Sequence, residues 1–400
     1  MASRQFSLHS VLRLVPNVLL KELFDALGHA CCDPGWAERK EKDIGPFLEF
    51  LDSLPRNKLN EIESALRSVA ELACESGMTA LVEACSICGE PSLAEQLPDY
   101  LSVWGRAMFM WLRHRGVFDK AQVIHQVDHV AWWRKRNDLP RNAPDTSPAA
   151  IDQLERDISA LLKAQGRGKD CTVEVLSRGD VDYFCAFPDD FVQNVLVHDE
   201  DHKLAPATFR RTLHIVFAYN REDGSLDTYA KLTKPIKEGL EVIFADTILH
   251  WELDAYDPDA AYELDQLKDA WFDMTTDPAD QLRVRIRKLR LSSKHNGRRV
   301  LIEIDDDDPD DDIHTAIEEC VHLEAVPLSE WHVTLVTFCF EFLPMPGRKP
   351  GRQTFAVCYP RSCSLRNARP ERVEIIQKYL KRWKIDLAKS PTPDLVPVGG

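Results

Sequence analysis

Five short stretches carry side chains whose types and spacing could do chemistry. The most acidic is EIDDDDPDDD, Glu303 to Asp312, which puts eight carboxylates in ten residues directly after the apolar run Val300, Leu301, Ile302. Carboxylate oxygens from Glu303, Asp305 and Asp307 are the donors that Mg²⁺ or Mn²⁺ would take in a metal-dependent nuclease. Such a site wants ligands converging from different segments, whereas contiguous residues of an extended chain point alternately to opposite sides. The run also lacks the glycine that a calcium loop needs at its sharp turn.

The hairpin reading of the same run is more economical. If Asn296-Gly297 is a two-residue turn, Arg290 faces Glu303, Lys288 faces Asp305, Arg287 faces Asp306 and Arg285 faces Asp308. Opposite charges across such a ribbon contribute roughly 0.2–1 kcal/mol per pair. Asp310, Asp311 and Asp312 then stand at the start of a helix from Ile313, where aspartate caps free N–H groups and suits the helix dipole.

Two histidine pairs have ligand spacing. In HDEDH, His198 and His202 share a face only on a helix, and the flanks VQNVLV and KLAPAT read as extended chain and loop. In an extended chain the two rings stand about 13 Å apart. HQVDH, His125 to His129, lies in a helical pattern but lacks the glutamate beside the first histidine that a metalloprotease helix requires. The pair Cys85 and Cys88 in CSIC is half of a zinc or redox motif, with His29, Cys31 and Cys32 at no matching spacing for a second half.

The basic-aromatic stretch WWRKR, Trp132, Trp133, Arg134, Lys135 and Arg136, has the residue types that stack on bases and hold phosphates. It also reads as a helix C-terminus, where cations meet the dipole and the tryptophans pack inward. A second basic group, Lys378, Lys381, Arg382 and Lys384, falls at the spacing of a solvated helix face.

Composition narrows the function classes. The 400 residues carry a net charge of −15, and residues 1–150 hold 17 basic and 20 acidic side chains against 33 and 45 in residues 151–400. So acidic a chain repels phosphate backbones except at a local basic patch, and it suits a basic protein partner or mimicry of nucleic acid. Eleven scattered cysteines, several within apolar runs, point to a reducing cytoplasm rather than a disulfide framework. The most apolar window, 101–112, contains Arg106 and is too short to span a bilayer. No phosphate-binding glycine loop, dinucleotide fingerprint, nucleophile elbow or kinase signature is present, so no nucleotide cofactor is expected.

The elements that must position these residues fall into two regimes. Residues 1–136 read as an antiparallel helical bundle: Ser7 caps the first helix, Gly28 closes it, and Gly77 terminates a helix with Leu59, Ile62, Leu66 and Val69 on one face. Residues 137–152, with their prolines, read as a linker. Beyond a helix near 149–164 the pattern alternates with period two, and one motif order occurs twice, in 153–276 and 277–388: a hairpin, a second strand pair and a closing helix. Residues 389–400 read as a loose tail.

The expectation is therefore an α+β protein, an all-helical N-terminal domain followed by two similar hairpin-hairpin-helix units. The expected role is a non-enzymatic cytoplasmic recognition, scaffold or sensor subunit with a protein partner, no membrane and no cofactor. The alternative is a nucleic-acid binder through Trp132 to Arg136, or a metal-dependent nuclease through Glu303 and its neighbours, as in a prokaryotic defence or mobile-element system.

Overall fold

The computed structural model describes residues 6–29, 35–36, 40–198, 203–253, 261–305, 308, 311–365 and 370–387. His202, Asp306, Asp307, Asp310, Cys31 and Cys32 lie outside the described residues. The chain divides into two compact units, 1–129 with 196–206, and 130–195 with 207–400.

The first unit is helical: α1 (Leu8–Leu14), α2 (Asn17–Ala26), α3 (Gly45–Asp52), α4 (Arg56–Leu72), α5 (Glu75–Ile87), α6 (Ser92–Glu95), α7 (Val103–Arg113) and α8 (Arg115–His129). Ser7 caps α1, its side chain accepting from the Ser10 N–H. The helix expected to run on to Gly28 breaks at Pro16, which has no N–H to continue it. Gly77 has a different role from the expected terminator. It sits inside α5, capped by Cys74, and a Cβ there would lie 2.2 Å from the Leu72 carbonyl oxygen. Only glycine permits so tight a corner between α4 and α5. Ile62, Leu66, Val69, Leu81, Met108, Phe118 and Ile124 form the buried interior.

The second unit is α+β. Its strands are β1 (Trp133–Arg136), β2 (Val173–Arg178), β3 (Val181–Ala186), β4 (Asp189–His198), β5 (Leu204–Thr212), β6 (Ile215–Asn220), β7 (Ser225–Ala230), β8 (Leu282–Ser293), β9 (Arg299–Glu303), β10 (Trp331–Phe342), β11 (Gly351–Cys358) and β12 (Ser362–Cys363), with the end of β4 from 196 and the start of β5 to 206 counted in the first unit. Its helices are α9 (Pro148–Lys163), α10 (Lys234–Leu249), α11 (Ile313–Cys320) and α12 (Pro370–Arg382). Ten strands form one sheet in the order β2-β3-β6-β7-β1-β12-β11-β10-β8-β9, with β4-β5 a separate ribbon. The segment before and after HDEDH, expected as extended chain and loop, is thus a strand pair, and His198 ends β4.

The repeated motif order is present but the two halves are not wired alike. In the first half β2, β3, β6 and β7 follow one another as a meander, whereas in the second β8 lies between β9 and β10. Two short strands, β1 and β12, join the halves at the centre. On the first half, α9 and α10 bury Leu154, Ile158, Phe244 and Ile248 against Phe184, Phe217 and Tyr219. On the second, α12 buries Ile376, Tyr379 and Trp383 with Phe338, Phe340 and Val357. Each fully buried aromatic removes enough apolar surface from water to stabilise by about 1.5–3 kcal/mol.

The cores approach β1 from opposite faces. Leu226, opposite Arg136, belongs to the first core, and Cys363, opposite Trp133, belongs to the second. Since alternate residues of a strand face opposite sides, β1 is the place where the covered face changes, and it is covered on both. Residues 137–152, read as linker, belong to this unit: 148–152 are the first turns of α9, and 137–147 are bound to the first half. Leu139 is buried in the first core, its N–H bonds to Gly224 O at 3.2 Å, and the Tyr219 hydroxyl donates to Pro140 O at 2.5 Å.

Candidate functional site

The basic-aromatic stretch is a strand, not a helix end. α8 stops at His129, Trp132 takes a positive φ of 69°, and residues 133–136 pair with β7 on one side and β12 on the other. Arg134, Lys135 and Arg136 are 9%, 8% and 2% exposed. Arg134 Nε lies 2.6 Å from Glu241 Oε1, and Arg136 holds Asp138 at 2.5 Å and Glu241 at 3.5 Å. Glu241, on the inner face of α10, is fully buried. Burial raises its pKa, against the pull of the two guanidiniums.

Lys135 faces the other side, where its Nζ meets Asp386 at 2.5 Å and its backbone pairs with Asp227. Burial lowers the Lys135 pKa, but Asp386 and Asp227 outweigh it and hold the ammonium above its ordinary value. Burial pushes the Asp227 carboxyl up to about 6, opposed by Lys135. The three cations of this central strand are thus held by carboxylates that pack on it from α10 and from the segments after β1 and α12. Trp132 alone of the five is exposed, at 49%.

In the acidic run the register differs from the expected one by two residues. Lys288, not Arg290, pairs with Glu303, and the two side chains meet at 2.5 Å. The loop is longer than a two-residue turn: Ser293 N–H bonds to Arg298 O, and Gly297 takes φ 67°. A shift of two keeps every side chain on its expected face. Arg285 donates to the backbone oxygens of Asp308 and Asp311, the Asp305 N–H bonds to Asp311 Oδ2 at 2.7 Å, and Asp312 caps α11 through the N–H groups of His314 and Thr315. Among the described residues no group of three or more His, Cys, Asp or Glu side chains converges to hold a metal ion.

The other motifs are local. The His125 and His129 rings lie 4.0 Å apart between centroids, tilted by 44°, with His125 Nε2 3.2 Å from Ser76 Oγ, and burial lowers the His125 pKa. His29 meets Glu61 at 3.0 Å. Cys85 is buried in α5 with its pKa raised by burial, and Cys88 caps the same helix. On α12, Lys378 and Arg382 bind Asp277, and Lys381 binds Asp223 at 2.6 Å.

One surface went unread in the sequence. α9 and α10 pack closely, with Gly239 set so that a Cβ would lie 3.1 Å from Leu161. Outside that contact, Asp157, Ala160, Leu161, Val242, Ile243, Asp246, Trp251, Glu252 and Leu253 line a groove of about 540 Å³. Val242 and Trp251 are 49% and 45% exposed. Asp157 accepts from Gln153 and Thr247, while exposed Asp246 and Glu252 make no ion pair among the described residues. The local signal was a second apolar position, Val242, on the outer side of a helix already carrying a full inner stripe.

No protein-family model matches the chain, and comparison with curated proteins and with solved structures gave no match. No helix among the described residues is long and apolar enough to cross a membrane.

Proposed function

We propose that the chain is a non-enzymatic recognition or scaffold subunit that binds a basic protein partner through its acidic, strand-rich half. The observation that supports this reading is a contrast in charge satisfaction. The basic motif of β1 is neutralised in the interior by Glu241, Asp138 and Asp386, whereas Asp246 and Glu252 make no ion pair among the described residues and lie beside exposed Trp251 and Val242. Carboxylates left in solvent next to apolar surface attract and orient a cationic partner. A cytoplasmic setting suits a chain in which none of the nine cysteines among the described residues forms a disulfide.

Affinity capture from a nuclease-treated lysate, eluted by a salt step, tests the reading alongside gel-shift titration with DNA and RNA. The expected result is a basic protein released by salt, with no shift of either nucleic acid. A nuclease-sensitive complex, or Mg²⁺-dependent cleavage lost in Asp305→Ala, would contradict it.

A further inference from the structure

Resting on that reading, we propose that the groove between α9 and α10 is the docking site for one amphipathic helix of a partner protein, carrying Lys or Arg on either side of an apolar stripe. Two packed helices leave a furrow along their axes, and a third helix fills such a furrow by setting its side-chain ridge between theirs. Here the walls come from each helix at helical spacing: Asp157, Ala160 and Leu161 on α9, and Val242, Ile243 and Asp246 on α10. Exposed Ala160 keeps one wall low, and Trp251 and Leu253, just beyond α10, add apolar lining.

The charge pattern selects the occupant. Every charged lining residue is a carboxylate, namely Asp157, Asp246 and Glu252. The Asp157 carboxylate already accepts from the Thr247 hydroxyl and the Gln153 amide, so Asp246 and Glu252 remain for incoming cations. The half-exposed indole of Trp251 is a surface on which a guanidinium or the aliphatic stem of a lysine can pack. A second copy of the chain is disfavoured as occupant, because each copy carries −15 and like charges repel.

The test uses the full chain and three fluorescein-labelled peptides: an amphipathic Leu/Lys helix, the same composition scrambled to remove the apolar face, and a Leu/Glu counterpart. Anisotropy is read at physiological salt, with the thermal midpoint checked for each variant. The Leu/Lys helix is expected to bind wild type more tightly than the other two, and to lose about tenfold or more in D246K/E252K and in Trp251→Ala. Val242→Ser, a smaller change on the groove wall, should lower affinity without altering charge.

Equal binding of the Leu/Lys helix to wild type and to these variants would overturn the groove while leaving a basic partner elsewhere. Absence of binding by both basic peptides, or equal binding of the Leu/Glu helix, would overturn the basic-partner reading as well. Self-association in sedimentation that disappears in D246K/E252K would make a second copy the occupant and overturn the partner helix.

Discussion

α10 presents carboxylates on both of its sides, and their fates differ. On the inner side Glu241 is fully buried between Arg134 and Arg136, and Glu238 reaches Arg134 at 3.3 Å. On the outer side Asp246 faces solvent beside Val242 with no ion pair among the described residues. The inner pair belongs to the architecture, because β1 is covered on both faces and a cation there must be matched. The outer carboxylate has no such constraint and is open to a partner.

Substitutions should separate the two sides by size of effect. Glu241→Ala leaves two buried guanidiniums short of a partner and is expected to destabilise by about 3 kcal/mol in urea unfolding. Asp246→Ala removes an exposed group and should change stability by no more than about 0.5 kcal/mol. Comparable losses in both variants would erase the distinction.

A pH series sharpens the seam. The Asp227 carboxyl titrates at about 6 in the folded chain and near 4 in the unfolded one, so the folded state binds the extra proton between those values. Its contribution to stability is complete below about pH 4 and is lost as pH rises to about 6. The stability of Asp227→Asn relative to wild type should therefore increase across that interval and level off above it. A difference that stays constant with pH would show that Asp227 is not held in the seam. At the far sheet edge, Lys288→Ala breaks an ion pair with both partners over a third exposed and should cost less than about 1 kcal/mol.

Much of this fold was legible because it is local. The strands from β2 to β11, apart from the β4-β5 ribbon, and the helices α10 and α12 follow from alternation, turn residues and three-to-four spacing. What failed depended on distant partners. Four residues with three cations, 133–136, look like a helix end, and only β7, β12, Glu241 and Asp386 make them a strand. The hairpin register failed because Gly297 takes a positive φ as part of a four-residue loop, 294–297, rather than a two-residue turn. Helix capping by Asp312 in the acidic run was readable because it needs only neighbours in sequence, whereas the charge pairs shifted with the register: Lys288 meets Glu303 instead of Asp305, and Arg285 donates to the backbone oxygens of Asp308 and Asp311. The groove was not, because Asp157 and Asp246 are brought to one furrow only when α9 packs on α10.

The burial of the basic motif is the claim on which the contrast depends, and amine acylation followed by mass spectrometry tests it at Lys135. Lys135 is 8% exposed and bonded to Asp386, whereas the Lys234 side chain is 69% exposed at the start of α10. Strong protection of Lys135 with rapid labelling of Lys234 is the predicted result. Labelling of both at the same rate in the folded protein would put the basic strand on the surface and return it to the list of nucleic-acid contacts.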